Sequence, residues 1–170
     1  MIPPFDDRGL LPPEPMNQGY GCTPAEVEQR FVIELGSPEW RARLFREWTL
    51  VSDAVRGVVP AARWWLWGCF VSNHPEPLWG ESETMSSLVI LPEPDLPDPG
   101  VTAMLWHFLQ SAHSEHSVDA PVVVDFSEDS DDRLETIEAL EFKWRPRASM
   151  GIADHATKDL VPAGFLEILP

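Results

Sequence analysis

Three carboxylates stand where acids could do chemistry. Glu81 and Glu83 are two residues apart, and in an extended chain such residues point the same way. Asp125 lies near the end of an apolar run, Pro121-Val122-Val123-Val124-Asp125-Phe126. Converging from neighbouring strands, the three could hold two Mg²⁺ ions and align a nucleotide's phosphates for in-line transfer. Gly68-Cys69, at the end of Arg63-Trp64-Trp65-Leu66-Trp67, would let a triphosphate approach the backbone. The plainer reading of Glu81 and Glu83 is a solvated loop. For Asp125 it is a strand-end residue that caps the next turn.

Other groups offer less. His113 and His116 are three residues apart near a helix end, a spacing that can ligate zinc, but the motif contains no third ligand. Glu128-Asp129-Ser130-Asp131-Asp132 could attract Ca²⁺, yet it lacks the EF-hand pattern and its central Gly. Cys69 has no base partner in view, which argues against a thiol nucleophile. Arg147 or Lys158 could contact phosphate, although their spacing does not require it. The sequence contains no Walker A motif, nucleophile elbow or CxxC.

The elements that would position these residues follow from pattern. Residues 1–22 are rich in Pro and Gly and predict an extended arm, with Phe5, Leu10 and Leu11 packing on a single domain of residues 23–170. Thr23-Pro24-Ala25-Glu26 starts a helix as a capping box, with Val27, Phe31 and Leu35 on one face. Gly36 stops it. Ser37-Pro38 opens a second helix with Trp40, Leu44, Trp48, Val51 and Val55 as its inner stripe, closed by Gly57 and Pro60. Two strands follow around a turn, Arg63 to Val71 and Leu88 to Leu91, with Gly68 expected as a bulge.

Residues 92–100 read as an ordered acidic loop. Val101 to Ser114 is a third helix with Met104, Leu105, Phe108, Leu109 and Ala112 inward. The run 121–126 is unbroken in apolarity and is expected at the centre of the sheet. Arg133 to Leu140 predicts a two-turn helix, Trp144 to Lys158 an irregular stretch, and Phe165 to Leu169 an edge strand. This order suggests an α/β or α+β fold with a mixed sheet.

Bulk composition narrows the partners. The 170 residues carry a net charge of −16, which opposes nucleic acid and anionic membranes and suits a basic protein partner, a cation or simple solubility. Eight tryptophans are many for this length and are candidate core or interface anchors. Two cysteines, Cys22 and Cys69, make no disulfide framework, and no run reaches the length of a membrane span. Met1 to Asp7 has neither a basic nor an apolar leader region, so the expected location is the cytoplasm.

The chain resembles the minimal nucleotidyltransferase superfamily, and within it a group of small uncharacterised bacterial proteins. Their N-terminal form I-P-P-F-x-x-x-G-x-L-P-P stands here as Ile2-Pro3-Pro4-Phe5-Asp6-Asp7-Arg8-Gly9-Leu10-Leu11-Pro12-Pro13. Their G-S-F-V-T strand end stands as Gly68-Cys69-Phe70-Val71-Ser72, and the E-P-G-D-x-D turn is approximated by residues 76–83. The resemblance spans most of the chain. It implies a nucleotidyltransferase-like mixed sheet, Gly68 and Cys69 at the nucleotide, and metal on Glu81, Glu83 and Asp125. Asp125 would also be the base that activates an acceptor hydroxyl.

Departures from the pattern leave two registers open. In one, Glu81 and Glu83 replace the family's paired Asp, and polar Thr84 to Ser87 intervenes before the apolar run. In the other, Met85-Ser86-Ser87 holds the acid positions directly before Leu88-Val89-Ile90-Leu91, and no strong metal ligand remains. The second is favoured because the apolar run must be the strand. The leading expectation is therefore a non-catalytic, cofactor-free protein that binds a protein partner as an antitoxin-, immunity- or regulator-like subunit. Its alternatives are an active NTP-Mg²⁺-dependent nucleotidyltransferase and a structural subunit of a larger assembly.

Overall fold

The computed structural model describes residues 2–16, 18–36, 39–73, 84–154 and 159–170, with backbone alone at 151–154 and 159. The fold is mixed α/β. One sheet has the order β1 (Tyr20–Cys22), β8 (Leu166–Ile168), β2 (Arg63–Trp67), β3 (Met85–Pro92), with β4 (Val118–Asp119) and β5 (Val122–Asp125) in succession along the far side of β3. β1–β8 and β3–β4/β5 are parallel, and β8–β2 and β2–β3 are antiparallel. A separate antiparallel hairpin joins β6 (Met150–Asp154) and β7 (Asp159–Pro162).

Helices form where the pattern requires them. Thr23 accepts the Glu26 N–H, and the Glu26 carboxylate accepts the Thr23 N–H, so both halves of the capping box are made. α1 (Pro24–Val27) runs on as a π-helix to Ile33, and Gly36 turns out of it at φ +57°. α2 (Glu39–Val58) buries the whole expected stripe, Trp40, Leu44, Trp48, Val51 and Val55. α3 (Pro99–His116) begins two residues earlier than its apolar period, because the Asp98 carboxylate accepts the N–H groups of Gly100 and Val101. Parallel strands need a crossover, and α3 supplies it between β3 and β4.

Strand alternation divides the interior in two. Trp64 and Leu66 of β2, Met85, Val89 and Leu91 of β3, and Leu166 and Ile168 of β8 pack against α2 and α3. Trp48 meets Trp64 edge to face at 5.9 Å. On the opposite side, Trp65, Leu88, Ile90, Val123 and Phe165 form a smaller cluster with Trp144 and Ala148.

The N-terminal segment lies against the body and ends as β1, an edge strand of the sheet. Leu10 and Leu11 are buried, and Phe5 lies edge to face with Phe31 at 5.9 Å. The Gly9 carbonyl accepts the Asn73 N–H at 2.7 Å, and that of Leu11 accepts the Gly164 N–H at 2.8 Å.

Several expectations are corrected. Met104 is 73% exposed, because α3 turns only Leu105, Leu109 and Ala112 fully inward. β5 is at the sheet's edge, with β3 as its strand partner; its apolarity reflects cover on both faces. β8 is interior, between β1 and β2. The short helix at Arg133 does not stop at Leu140. α4 (Arg133–Ile137) widens to a π-helix over Glu138–Trp144 and closes as α5 (Arg145–Ala148), with Pro146 in its first turn where a missing N–H costs nothing.

Candidate functional site

Gly68 does not bulge the strand; it ends it. Its φ of +79° belongs to the left-handed region that glycine enters freely, and a 3₁₀ turn over Gly68–Val71 follows. A Cβ added there would meet Ser86 Oγ at 3.5 Å, an ordinary contact, so the backbone angle and not crowding calls for glycine. The turn rests on a buried cation. Arg41 is 1% exposed, and its guanidinium donates to the carbonyls of Phe70 at 3.3 Å and Cys69 at 3.5 Å. Burial pulls the Arg41 pKa down to about 10, which leaves it charged near neutrality.

Arg41 was legible in principle. Positions 41, 45, 48, 52 and 55 repeat at helical spacing, so Arg41 shares the stripe of Phe45, Trp48 and Val55. A charged residue on a buried stripe needs acceptors, and the carbonyls of a tight turn provide them.

At β3 the described residues show what pairs beside the Gly68 turn. The strand starts at Met85, and Ser86 pairs with Trp67 on one side and with Asp119 on the other. Serines, not acids, therefore occupy the strand positions beside Gly68. Ser87 Oγ donates to the Asp119 carbonyl. Among the described residues, Asp119 is the carboxylate at this end, and sequence reasoning passed over it. It is already engaged, with Oδ1 2.7 Å from His113 Nδ1.

Asp125 stands elsewhere. It pairs with Pro92, six residues along β3 from Ser86, or roughly 20 Å. Its carboxylate takes Arg133 Nη1 at 2.5 Å and Arg63 Nη2 at 2.8 Å. Arg63 also reaches Glu167 Oε1 at 3.1 Å, which accepts from Trp65 Nε1 at 3.3 Å. The result is a four-residue charge cluster of Glu167, Arg63, Asp125 and Arg133. Two guanidiniums on one carboxylate satisfy it as an acceptor and repel a divalent cation.

Glu81, Glu83 and Lys158 lie outside the described residues. Among the described residues, no three His, Cys, Asp or Glu side chains stand close enough together to hold a metal ion. Those at the start of β3 do not fit the two-Mg²⁺ site: serine hydroxyls are weak ligands, and the one carboxylate is paired to histidine.

The remaining candidates separate. His113 turns to Asp119, while His116 Nδ1 is 2.8 Å from Glu47 Oε2, so the two imidazoles serve different elements and not one zinc. Residues 128–132 form an exposed turn, with Asp132 N–H on Ser130 Oγ. Arg147 lies over the Trp144 ring at 5.7 Å. Neither cysteine is in a disulfide. Burial and the nearby Glu26 carboxylate push the Cys22 thiol up to about 12, so it is no nucleophile.

No described helix is long and apolar enough to cross a membrane. No curated protein and no solved structure matches the chain. Residues 3–78, which span the arm, α1, α2, β2 and the Gly68 turn, are similar to a family of unknown function, DUF6932.

Proposed function

We propose that this chain is a nucleotidyltransferase-like protein without a working metal centre, which acts by binding another protein of basic character. The observation that carries the reading is the content of β3. Its first residues, Met85-Ser86-Ser87, stand beside Gly68 where paired acids would enter, and Asp125 is committed to two arginines at the strand's other end. The charge of −16 supports a cationic partner, since opposite surfaces associate faster. An antitoxin-, immunity- or regulator-like role in the cytoplasm fits this reading.

The test is a titration with ATP and GTP, each with and without Mg²⁺ or Mn²⁺, followed by tryptophan fluorescence. Trp67 precedes Gly68 and is half-buried, so occupancy of the turn must perturb its emission. A flat response is expected. A metal-dependent change, lost in Glu81→Gln, would overturn the reading in favour of an active NTP-Mg²⁺ enzyme.

A further inference from the structure

The helical stretch from Arg133 to Ala148 hides one side and leaves the other bare. Thr136, Trp144 and Ala148 are buried. Leu134, Ile137 and Phe142 face solvent at 63%, 39% and 77% exposure. Neighbours lie three to five residues apart as the α-helix widens to a π-helix, so the exposed Leu134, Ile137, Glu138, Glu141 and Phe142 share one face. Apolar side chains alternate there with carboxylates. A phenylalanine so exposed on an ordered helix marks a surface that another molecule can cover.

The charges on this stretch are sorted. Residues 128–142 carry seven carboxylates and one arginine, Arg133, which is held by Asp125. The basic residues that follow lean on aromatic rings: Lys143 and Arg147 on Trp144, at 5.1 and 5.7 Å, and Arg145 on Trp65 at 5.3 Å. Arg145 also pairs with Glu141 at 2.6 Å. The exposed face is therefore apolar and acidic together.

That pairing selects the occupant. A second copy of this chain would bring the same carboxylates, and like charges across an interface are costly. An anionic lipid surface is repelled for the same reason. A protein segment that alternates Lys or Arg with large apolar residues satisfies both components, in the manner of an amphipathic helix that lays its apolar face on an apolar surface. We propose that Leu134, Ile137, Glu138, Glu141 and Phe142 form the docking face for such a cationic, apolar-bearing segment of a partner protein. The proposal rests on the protein-binding reading above and names its surface.

The experiment titrates the full ¹⁵N-labelled chain with a synthetic Lys/Leu amphipathic helical peptide and maps the amide shifts. Largest shifts over residues 133–142 are expected. Leu134→Ser with Phe142→Ser, which leaves charge unchanged, should weaken binding about tenfold or more. Met104→Ser, at an equally exposed apolar residue on α3, should leave it unchanged. Glu138→Lys should weaken it and flatten its salt dependence. Equal affinity in all variants, with shifts spread over every acidic surface, would overturn the proposal as bulk charge attraction. Shifts confined to another face would overturn this surface and leave the protein-binding reading standing. Self-association abolished by the serine pair, or binding to anionic vesicles, would also overturn it, with a second copy or a membrane in its place. Failure of the underlying reading shows separately, as metal-dependent nucleotide binding.

Discussion

On one side of β3, Met85, Val89 and Leu91 meet α2 and α3 in an interior that includes Trp48, Trp64, Phe31 and Phe70. On the other side, Leu88 and Ile90 meet a small cluster closed by Trp144, beside the cluster of Arg63, Asp125, Arg133 and Glu167. The first side is apolar and deep. The second is shallow and charged, and its helix exposes Leu134 and Phe142 while Trp48 and Val51 on α2 are sealed. A fold needs one well-packed interior to be stable, and the first side provides it. The second side is then free to carry features that cost stability or do nothing for it. The docking face proposed above lies there.

Substitution should separate the two sides sharply. Trp48→Ala removes a fully buried ring and its contact with Trp64, and should cost about 3–5 kcal/mol in chemical denaturation. Leu134→Ala on the opposite side should stay within about 0.5 kcal/mol. Comparable losses at both positions would mean that the exposed helix face belongs to the folding core after all.

The arm packs on the first side, and Gly164 is one of its seats. A Cβ there would stand 2.5 Å from the Pro12 carbonyl oxygen and 2.6 Å from a Tyr20 ring carbon. Backbone cannot retreat cheaply, so Gly164→Ala should cost about 1–3 kcal/mol by overpacking. Limited proteolysis should then cut within residues 3–16 before it cuts the body. Protection equal to wild type would show that the Asn73–Gly9 bond and the packing of Phe5 and Leu10 hold the arm without this seat.

Asp125 tests what the charged side is for. Asp125→Asn weakens two charge-assisted contacts that are only partly buried, and should cost about 1–2 kcal/mol. Arg133→Met in the same background should add less than its own single effect, because the partners are shared. Mg²⁺ affinity by calorimetry should not change. A measurable drop in Mg²⁺ affinity with stability intact would return Asp125 to the role of metal ligand.

Much of the packed side was readable from sequence, and little of the charged side was. The α2 stripe repeats at helical period, and Thr23 with Glu26 states a helix start by local chemistry alone. The β2–β3 pair announces itself as two apolar runs around a turn. Misreadings arose where long-range pairing decides. Val122 and Val123 are covered on opposite faces by different clusters, so β5 looks central although it lies at the edge. β8 looks like an edge but alternates correctly for an interior strand, with Leu166 and Ile168 toward α2 and Glu167 toward Arg63 and Trp65. The partners of Asp125 are 62 and 8 residues away, and no local pattern ties them to it. Asp119 was missed because its two-residue strand is too short to carry a period.

The smallest expected effect concerns the arm's own turn and separates it from the core by pH. Burial pushes the Asp6 carboxyl up, but the N–H groups of Leu10 and Arg8 and the Arg8 guanidinium outweigh that and hold it below its usual 3.8. A carboxyl lowered on folding stabilises the native state fully above its unfolded value. That contribution disappears as pH falls through the lower, folded value. Trp48, Trp64 and Val51 of the core do not titrate. Asp6→Asn should therefore cost at most about 1 kcal/mol near neutrality, and the gap from wild type should close as pH falls through the lowered folded value. Amide exchange at Leu10 and Arg8 should accelerate in the variant at neutral pH, while exchange in α2 stays slow. If the gap persists undiminished in acid, the turn is held by the Gly9–Asp6 backbone bond and the packing of Leu10, and the carboxylate is incidental to it.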